Sequence, residues 1–224
     1  GGTLIEDTRT LPTVDYFDAI LHKDAPVKNA DFSVSGGNEK GTYFLSLNGF
    51  SQDGIIKKTS FDRVTLRANG DFKASSWLTV GENITLIRTN HRGGIENDEW
   101  TSPIMTTYTR DPITPIRNED GSFTKSTFSD IWNPVATIEY NNPKNTVYRV
   151  LANVYGEISF LKHFKFRSAY STEYANNEYS NYTPVYYVFA AQQNPNVNSL
   201  TNYTYSTYIR QFTNTLTFDK KIKE

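Results

Sequence analysis

SVSGGNEKGTYFLSLNGFSQDG, residues 33–54, alternates from Tyr43 onward. Tyr43, Leu45, Leu47 and Gly49 fall on one side of an extended chain, and Phe44, Ser46, Asn48 and Phe50 on the other. A period of two marks a β-strand with two faces of different polarity. Which face is wet decides the fold.

The same period recurs along the chain. In 64–72, Val64, Leu66, Ala68, Gly70 and Phe72 oppose Thr65, Arg67, Asn69 and Asp71. In 78–88, Leu78, Val80, Ile84 and Leu86 share a face that Glu82 interrupts. In 148–160, Tyr148, Val150, Ala152, Val154, Gly156, Ile158 and Phe160 oppose Arg149, Asn153, Tyr155 and Glu157. In 164–174, Phe164, Phe166, Tyr170 and Tyr174 oppose Lys165, Arg167 and Glu173. The last segment, 207–219, is weaker, since Arg210 and Asn214 share a face with Phe212, Leu216 and Phe218. Seven strands are expected, at about 30–36, 42–52, 61–72, 77–89, 147–160, 163–175 and 206–219. Ahead of them, DYFDAILHK (15–23) has helical spacing for one or two turns, with Pro26 as the stop.

The connections alternate short and long. GNEK (37–40), KASS (73–76) and LKH (161–163) are short; QDGIIKKTS (52–60) and the stretches at about 91–146 and 175–206 are long. In an antiparallel meander this puts every short turn at one end and every long loop at the other, as in outer-membrane barrels. Several runs reach 11 to 13 residues. A tilted membrane strand needs about 9–11, whereas soluble strands average about 5–6. Tyr43, Phe72, Phe160, Phe164 and Phe218 stand near the short-turn end of the apolar face, where an interfacial girdle belongs. The expected fold is therefore all-β: an antiparallel transmembrane β-barrel segment of about seven strands. The Tyr43–Leu45–Leu47 face meets lipid and the Ser46–Asn48 face a polar lumen. The competing architecture is a soluble, secreted β-sandwich that binds carbohydrate, whose strands also alternate.

Composition narrows the function classes. The 224 residues carry 23 basic and 24 acidic side chains, net −1, which excludes the basic footprint of a nucleic-acid binder. Cys is absent, so no disulfide, thiolate metal site or Cys nucleophile exists. His22, His91 and His163 are far apart. No run of about 18 apolar residues is present for a membrane helix. The mean hydropathy of −0.57 does not oppose a barrel, whose strands are apolar only at alternate positions. The chain begins Gly-Gly-Thr with no visible leader. Single-chain bacterial barrels have even strand numbers from about 8 upward, and open edges cannot exist in lipid. Seven strands thus read as a segment of a larger barrel.

Residues 33–84 resemble the SusC/RagA family of TonB-linked outer-membrane transporters of the Bacteroidetes. The resemblance rests on Gly36 and Gly37, Tyr43, the Gln52-Asp53-Gly54-Ile55 loop, Phe61-Asp62-Arg63, Asn69 and Trp77-Leu78-Thr79-Val80-Gly81. Residues 15–37 are similar to the segment joining the plug to the barrel, and TRDPITPIRNEDGSF (109–123) to a loop motif of the family. The resemblance implies a roughly 22-stranded plugged barrel, import of oligosaccharides or peptides, an energy link to the TonB complex, and a SusD-like lipoprotein on the outer face. It divides the chain into a plug-to-barrel connecting segment, 1–29, and a partial barrel, 30–224, with long extracellular loops at about 91–146 and 175–206. No plug, TonB box or accessory domain is visible in these residues.

The candidate functional residues form two sets. Arg67, Asn69, Arg149, Asn153, Glu157, Lys165, Arg167 and Glu173 are expected to face the lumen, the charged ones as a network rather than as acid and base. Trp100, Tyr108, Trp132, Tyr140, Tyr182, Tyr186 and Tyr187 fall on expected extracellular loops, together with Tyr179 and Phe189. Aromatic rings there can stack on sugars or grip a peptide; the ordinary alternative is loop packing. Glu96, Asp98 and Glu99 lack calcium-loop spacing and read as a solvated loop. Asn118-Glu119-Asp120-Gly121 reads as a turn. Gly36 to Gly41 lack phosphate-loop spacing, and three Asn-x-Thr sequons at Asn83, Asn181 and Asn202 read as chance. No residue set supports an enzyme, a metal site or a cofactor.

Overall fold

Alternation in the sequence becomes one continuous sheet. The structure, a computed structural model, describes residue 11 and residues 13–94, 98 and 100–220. Strands β1 (Val27–Asn38), β2 (Gly41–Asp53), β3 (Ser60–Lys73), β4 (Leu78–Arg92), β5 (Lys144–Phe160) and β6 (Phe164–Thr183) pair antiparallel in chain order. A small hairpin, β7 (Tyr186–Phe189) with β8 (Gln192–Asn194), precedes β9 (Ser199–Phe218), which pairs with β6 and completes a seven-stranded sheet. β1 and β9 are its edges, and the sheet does not close on itself.

The strands outrun the periodicity. β6 and β9 are each 20 residues long and stay paired from Phe164↔Phe218 to Thr183↔Ser199. The connection expected at 175–206 therefore narrows to 184–198, and Tyr179 and Tyr182 sit on a strand rather than a loop. Alternation fades there because the outer ends of β6 and β9 are rich in Tyr, Asn, Ser and Thr, which suit either face of a wet sheet. Short turns occupy 39–40, 74–77 and 161–163 at one end, and the other end holds 54–59, 93–143 and 184–198.

Three short helices complete the described chain. α1 (Tyr16–Ile20) begins at Asp15, whose carboxylate accepts from the Asp18 amide, and it ends at Leu21, well before Pro26. α2 (Pro103–Thr109) and α3 (Pro134–Tyr140) each place Pro in the first turn, where its missing N–H costs nothing. Asn133 caps α3 by accepting from the amides of Val135 and Ala136.

Register defines the faces. Phe32, Leu47, Leu66, Leu86, Val150, Tyr174 and Tyr208 lie directly opposite one another across all seven strands, one apolar row on one face. Phe32, Leu47, Leu66, Leu86, Tyr174 and Tyr208 are exposed, and no second layer covers them. A sandwich would bury this face, so the soluble alternative is not what these residues form. Glu82 lies on the same face opposite Gly70. A Cβ at Gly70 would come within 2.6 Å of Glu82 Oε1, so the glycine leaves the space that carboxylate occupies.

The buried core lies elsewhere. Among the described residues, Ala175 is the one buried hydrophobic side chain of the large sheet; Tyr16, Ile20, Ile56, Phe123, Ile131, Ala136, Val188 and Phe189 come from the long-connection end.

Candidate functional site

Two regions hold the sequence-predicted residues: the polar face of the sheet and the cluster of long connections. Arg67, Asn69, Arg149, Asn153, Glu157, Lys165, Arg167 and Glu173 all occupy the face opposite the apolar row, as the strand register requires. Arg149 Nε lies 3.3 Å from Glu173 Oε1, and Lys165 Nζ 3.6 Å from Glu157 Oε1. Asn153 donates to Ser171 Oγ at 2.7 Å. Arg167 lies 3.5 Å over the ring of Tyr155, whose hydroxyl donates to Asp71. The charges form cross-strand pairs joining β5 to β6, and one link from β5 back to β3. A cleft of about 660 Å³ on this face is lined by Arg63, Arg67, Asp31 and Asn48, and a second of about 350 Å³ by Asn83, Asn153, Glu173 and Gln211. Such a wall is finely divided in charge, with Glu157 and Glu173 each paired to a cation across the strands.

The loop aromatics divide into two groups. Phe123, Ala136, Val188 and Phe189 form a small core against which Trp132, Tyr140 and Tyr186 pack. Tyr140 and Tyr186 stack with ring centroids 4.1 Å apart, and Phe123 meets Tyr140 edge-on at 5.6 Å. Burial raises the pKa of Tyr186, and the neighbouring Tyr140 adds to the effect. Trp132, Tyr140 and Tyr186 also line a pocket of about 250 Å³ with Thr101, Thr137, Asn141 and Thr183. Trp100, Tyr108, Tyr182 and Tyr187 are exposed instead, Tyr108 at 70% with its ring edge-on to Phe17 at 4.6 Å. The structure thus brings three of the seven rings together as packing and leaves four open to contact.

What holds this cluster is a polar lock that sequence reasoning missed. Arg110, only 4% exposed, donates from Nε to Tyr16 Oη (2.8 Å), from Nη1 to Ile131 O (3.1 Å) and from Nη2 to Thr124 O (2.8 Å). Tyr16 in turn donates to Thr114 O at 2.7 Å. Burial raises the Tyr16 pKa against the opposing pull of Arg110. Asn133 donates to Ile116 O and Thr124 O, while Gln192 accepts from the Asn133 amide and donates to its carbonyl. Four separate stretches of chain, at α1, 110–126, α3 and β8, are thereby joined. The segment before β1 is tied in further: Val14 N donates to Pro112 O, and Lys57 donates to the carbonyls of Asp18 and Ala19. Asp111 beside the lock is penalised by burial. The hydrogen bonds from Ser126 and Thr114, with the Arg110 charge, outweigh that and hold its pKa below the ordinary carboxylate range.

Of the acidic loop group, Asp98 caps its own turn by accepting from Trp100 N and Thr101 N; Glu96 and Glu99 lie outside the described residues. The Asn118 to Gly121 stretch is a turn, with Gly121 at φ +84°. Among the described residues no group of three potential metal ligands occurs.

No family model matches the chain. It is 30% identical over 196 residues to TonB-dependent receptor P26 of Formosa agariphila, and 27% identical over 173 residues to TonB-dependent receptor P3 of the same organism. These alignments cover 85% and 73% of this chain but only 18% and 17% of the relatives. Among solved structures, the RagAB peptide importer in its open-open state superposes with a TM-score of 0.77 at 20% identity, over 98% of this chain and 25% of that one. The RagAB peptide transporter gives 0.78 at 18% identity, over 96% and 25%. In sequence the chain matches a segment of TonB-dependent receptors, and in fold a segment of the RagAB transporter, consistent with a barrel segment of SusC/RagA type.

Proposed function

We propose that this chain forms part of the wall and outer loops of a TonB-dependent importer in a bacterial outer membrane. The observation that carries this reading is the inverted sheet, with an unbroken apolar row exposed on one face and paired charges on the other. Only a solvent that is apolar outside and aqueous inside rewards that arrangement. Residues 13–26 lie at the long-connection end ahead of β1, and the loops there face the cell exterior. The lumen residues from Arg67 to Glu173 line the passage around whatever fills it. Trp100, Tyr108, Tyr182 and Tyr187 are the exposed rings that would meet an oligosaccharide or peptide, or a SusD-like lipoprotein; Trp132, Tyr140 and Tyr186 pack into the small core of the loop cluster instead. The two curated relatives are receptors coupled to TonB by name, and the structural neighbour is a peptide importer, which supports transport rather than catalysis.

The test is fractionation of cells expressing the full-length protein that contains this chain. It should appear in the outer membrane, extract only with detergent, and lose uptake activity when TonB is removed. A soluble periplasmic or secreted species would overturn the reading.

A further inference from the structure

The polar face compensates its cations on β5 and β6 but leaves two on β3 without a partner. Arg149 pairs with Glu173, Lys165 with Glu157, and Arg167 lies over Tyr155, which donates to Asp71. Arg63 and Arg67 occupy the same face on β3, an inner strand whose neighbours are fixed by the register on both sides. Arg67 stands between Ser46 and Thr85, and Arg63 between Phe50 and Thr89. The diagonal positions hold Phe44, Asn48, Gln52, Asn83, Ile87 and His91. None of these side chains is an acid. Among the described residues neither guanidinium makes a hydrogen bond or an ion pair. Arg63 has the Phe50 ring beside it, with its guanidinium carbon 5.6 Å from the centroid. Asp31, the acid that lines the same cleft, lies two strands away on β1. Each of its oxygens already accepts from an amide, of Asn29 or of Asn48, at 2.7 Å. The cleft, of about 660 Å³, adds Ser46, Thr65 and Thr85 around Arg67. Four residues of strand set the Cα atoms of the two arginines about 13 Å apart, so together they span more than a single small anion does.

We propose that this cleft is a subsite for acidic cargo, in which Arg63 and Arg67 bind carboxylates carried by the transported oligomer. Guanidinium groups present planar N–H forks that match a carboxylate with two parallel, charge-assisted hydrogen bonds. The hydroxyls around Arg67 take the neutral polar groups of the same molecule. Where every other charge of the wall is met within the wall, these two are met by what passes it. This inference rests on the importer reading and adds the charge of the cargo to it.

The experiment uses the full-length protein in detergent and measures binding by titration calorimetry. The probes are trigalacturonate against maltotriose, and triglutamate against trialanine. At least one acidic probe should bind several-fold tighter than its neutral counterpart. Arg63→Gln and Arg67→Gln should each weaken the acidic probe, and the double variant should lose the preference while binding the neutral probe as before. Arg88→Gln, on the outward face of β4, should keep it. Raising the ionic strength should erode the preference in the wild type, a readout that does not depend on how a variant folds. Acidic probes that bind no tighter than neutral ones, or not at all, would overturn the proposal. So would a preference that survives in the double variant while hydrogen exchange rises in whatever segment of the protein fills the passage. The two arginines would then belong to that segment and not to cargo. A full-length protein that is soluble without detergent would instead sink the importer reading beneath it.

Discussion

The wall and the loop cluster of this chain solve opposite problems. The wall exposes its apolar side chains and pairs its polar ones, so it has almost no buried core of its own. The cluster at the long-connection end is built like an ordinary globular domain, with Phe123, Val188 and Phe189 inside and a buried cation hydrogen-bonded through each of its three nitrogens. The wall is held by backbone ladders of up to 20 consecutive pairs, which tolerate side-chain change provided the polarity of each face is kept. The cluster is held by a few side chains that converge from four places. Regions facing two solvents are specified by periodicity; regions facing one are specified by contacts.

The sharpest way to separate the two is Arg110→Met. The substitution keeps bulk but strands Ile131 O in a dry interior and takes from Thr124 O and Tyr16 Oη one hydrogen bond each, leaving them Asn133 and Thr114 as partners. One unmet buried carbonyl costs about 1–3 kcal/mol and a lost hydrogen bond to a charged group about 1.5–3 kcal/mol, so the cluster should lose roughly 3–5 kcal/mol of local stability. Hydrogen exchange should rise across 110–126 and across α1, while β2 to β5 stay protected. Equal loss of protection in the wall would mean the cluster and the sheet fold as one unit, and the contrast drawn above would collapse.

The wall is best broken by polarity. Leu66→Arg sets a charge in the apolar row and should cost about 2–4 kcal/mol if that row lies near the middle of a bilayer. Thr65→Arg, one residue away on the polar face, should cost far less, because that side chain meets water and the clefts of the wall. Refolding yield into lipid vesicles of the full-length protein measures both. Equal penalties at the two neighbours would mean that the faces do not meet different solvents.

That difference also explains what could be read from the sequence. Order, antiparallel pairing and the sorting of connections by length were all legible, because Leu45, Leu66 and Val154 announce a face at every second position. That eight of the predicted residues share the polar face was legible for the same reason: once a strand's parity is known, each of them is placed. The cluster was not. α2 reads Pro-Ile-Met-Thr-Thr-Tyr-Thr, a weak helix by propensity, and it forms because Pro103, Thr106 and Thr107 are buried against the rest. Its start, like that of α3 at Asn133-Pro134, carried a cap-and-proline signature that could have been noticed. Arg110 and Gln192 gave no signal, since a buried polar residue is recognisable only from partners 59 or 94 positions away. The rings at Trp132, Tyr140 and Tyr186 could be seen, but their inward packing could not.

The smallest effect tests the electrostatics of the lock. Asp111 has a folded pKa below its ordinary value of about 3.9, because Ser126 and Thr114 donate to it and Arg110 stands beside it. A carboxylate whose folded pKa is depressed adds stability that is fully present above the unfolded value and is lost as the pH falls through the folded one. The cluster should therefore be insensitive to pH from neutrality down to about 4, and should loosen below that. The Thr114 amide, which donates to Asp111 Oδ1 at 2.8 Å, is the local probe. Asp111→Asn keeps an acceptor for that amide but removes the charge facing Arg110, so the loss at neutral pH should be only about 0.5–1.5 kcal/mol. The same substitution should also remove the extra acid sensitivity of the Thr114 amide. If that sensitivity survived in the variant, the acid response would belong to another carboxylate, and Asp111 would be a turn residue whose charge does not contribute to the lock.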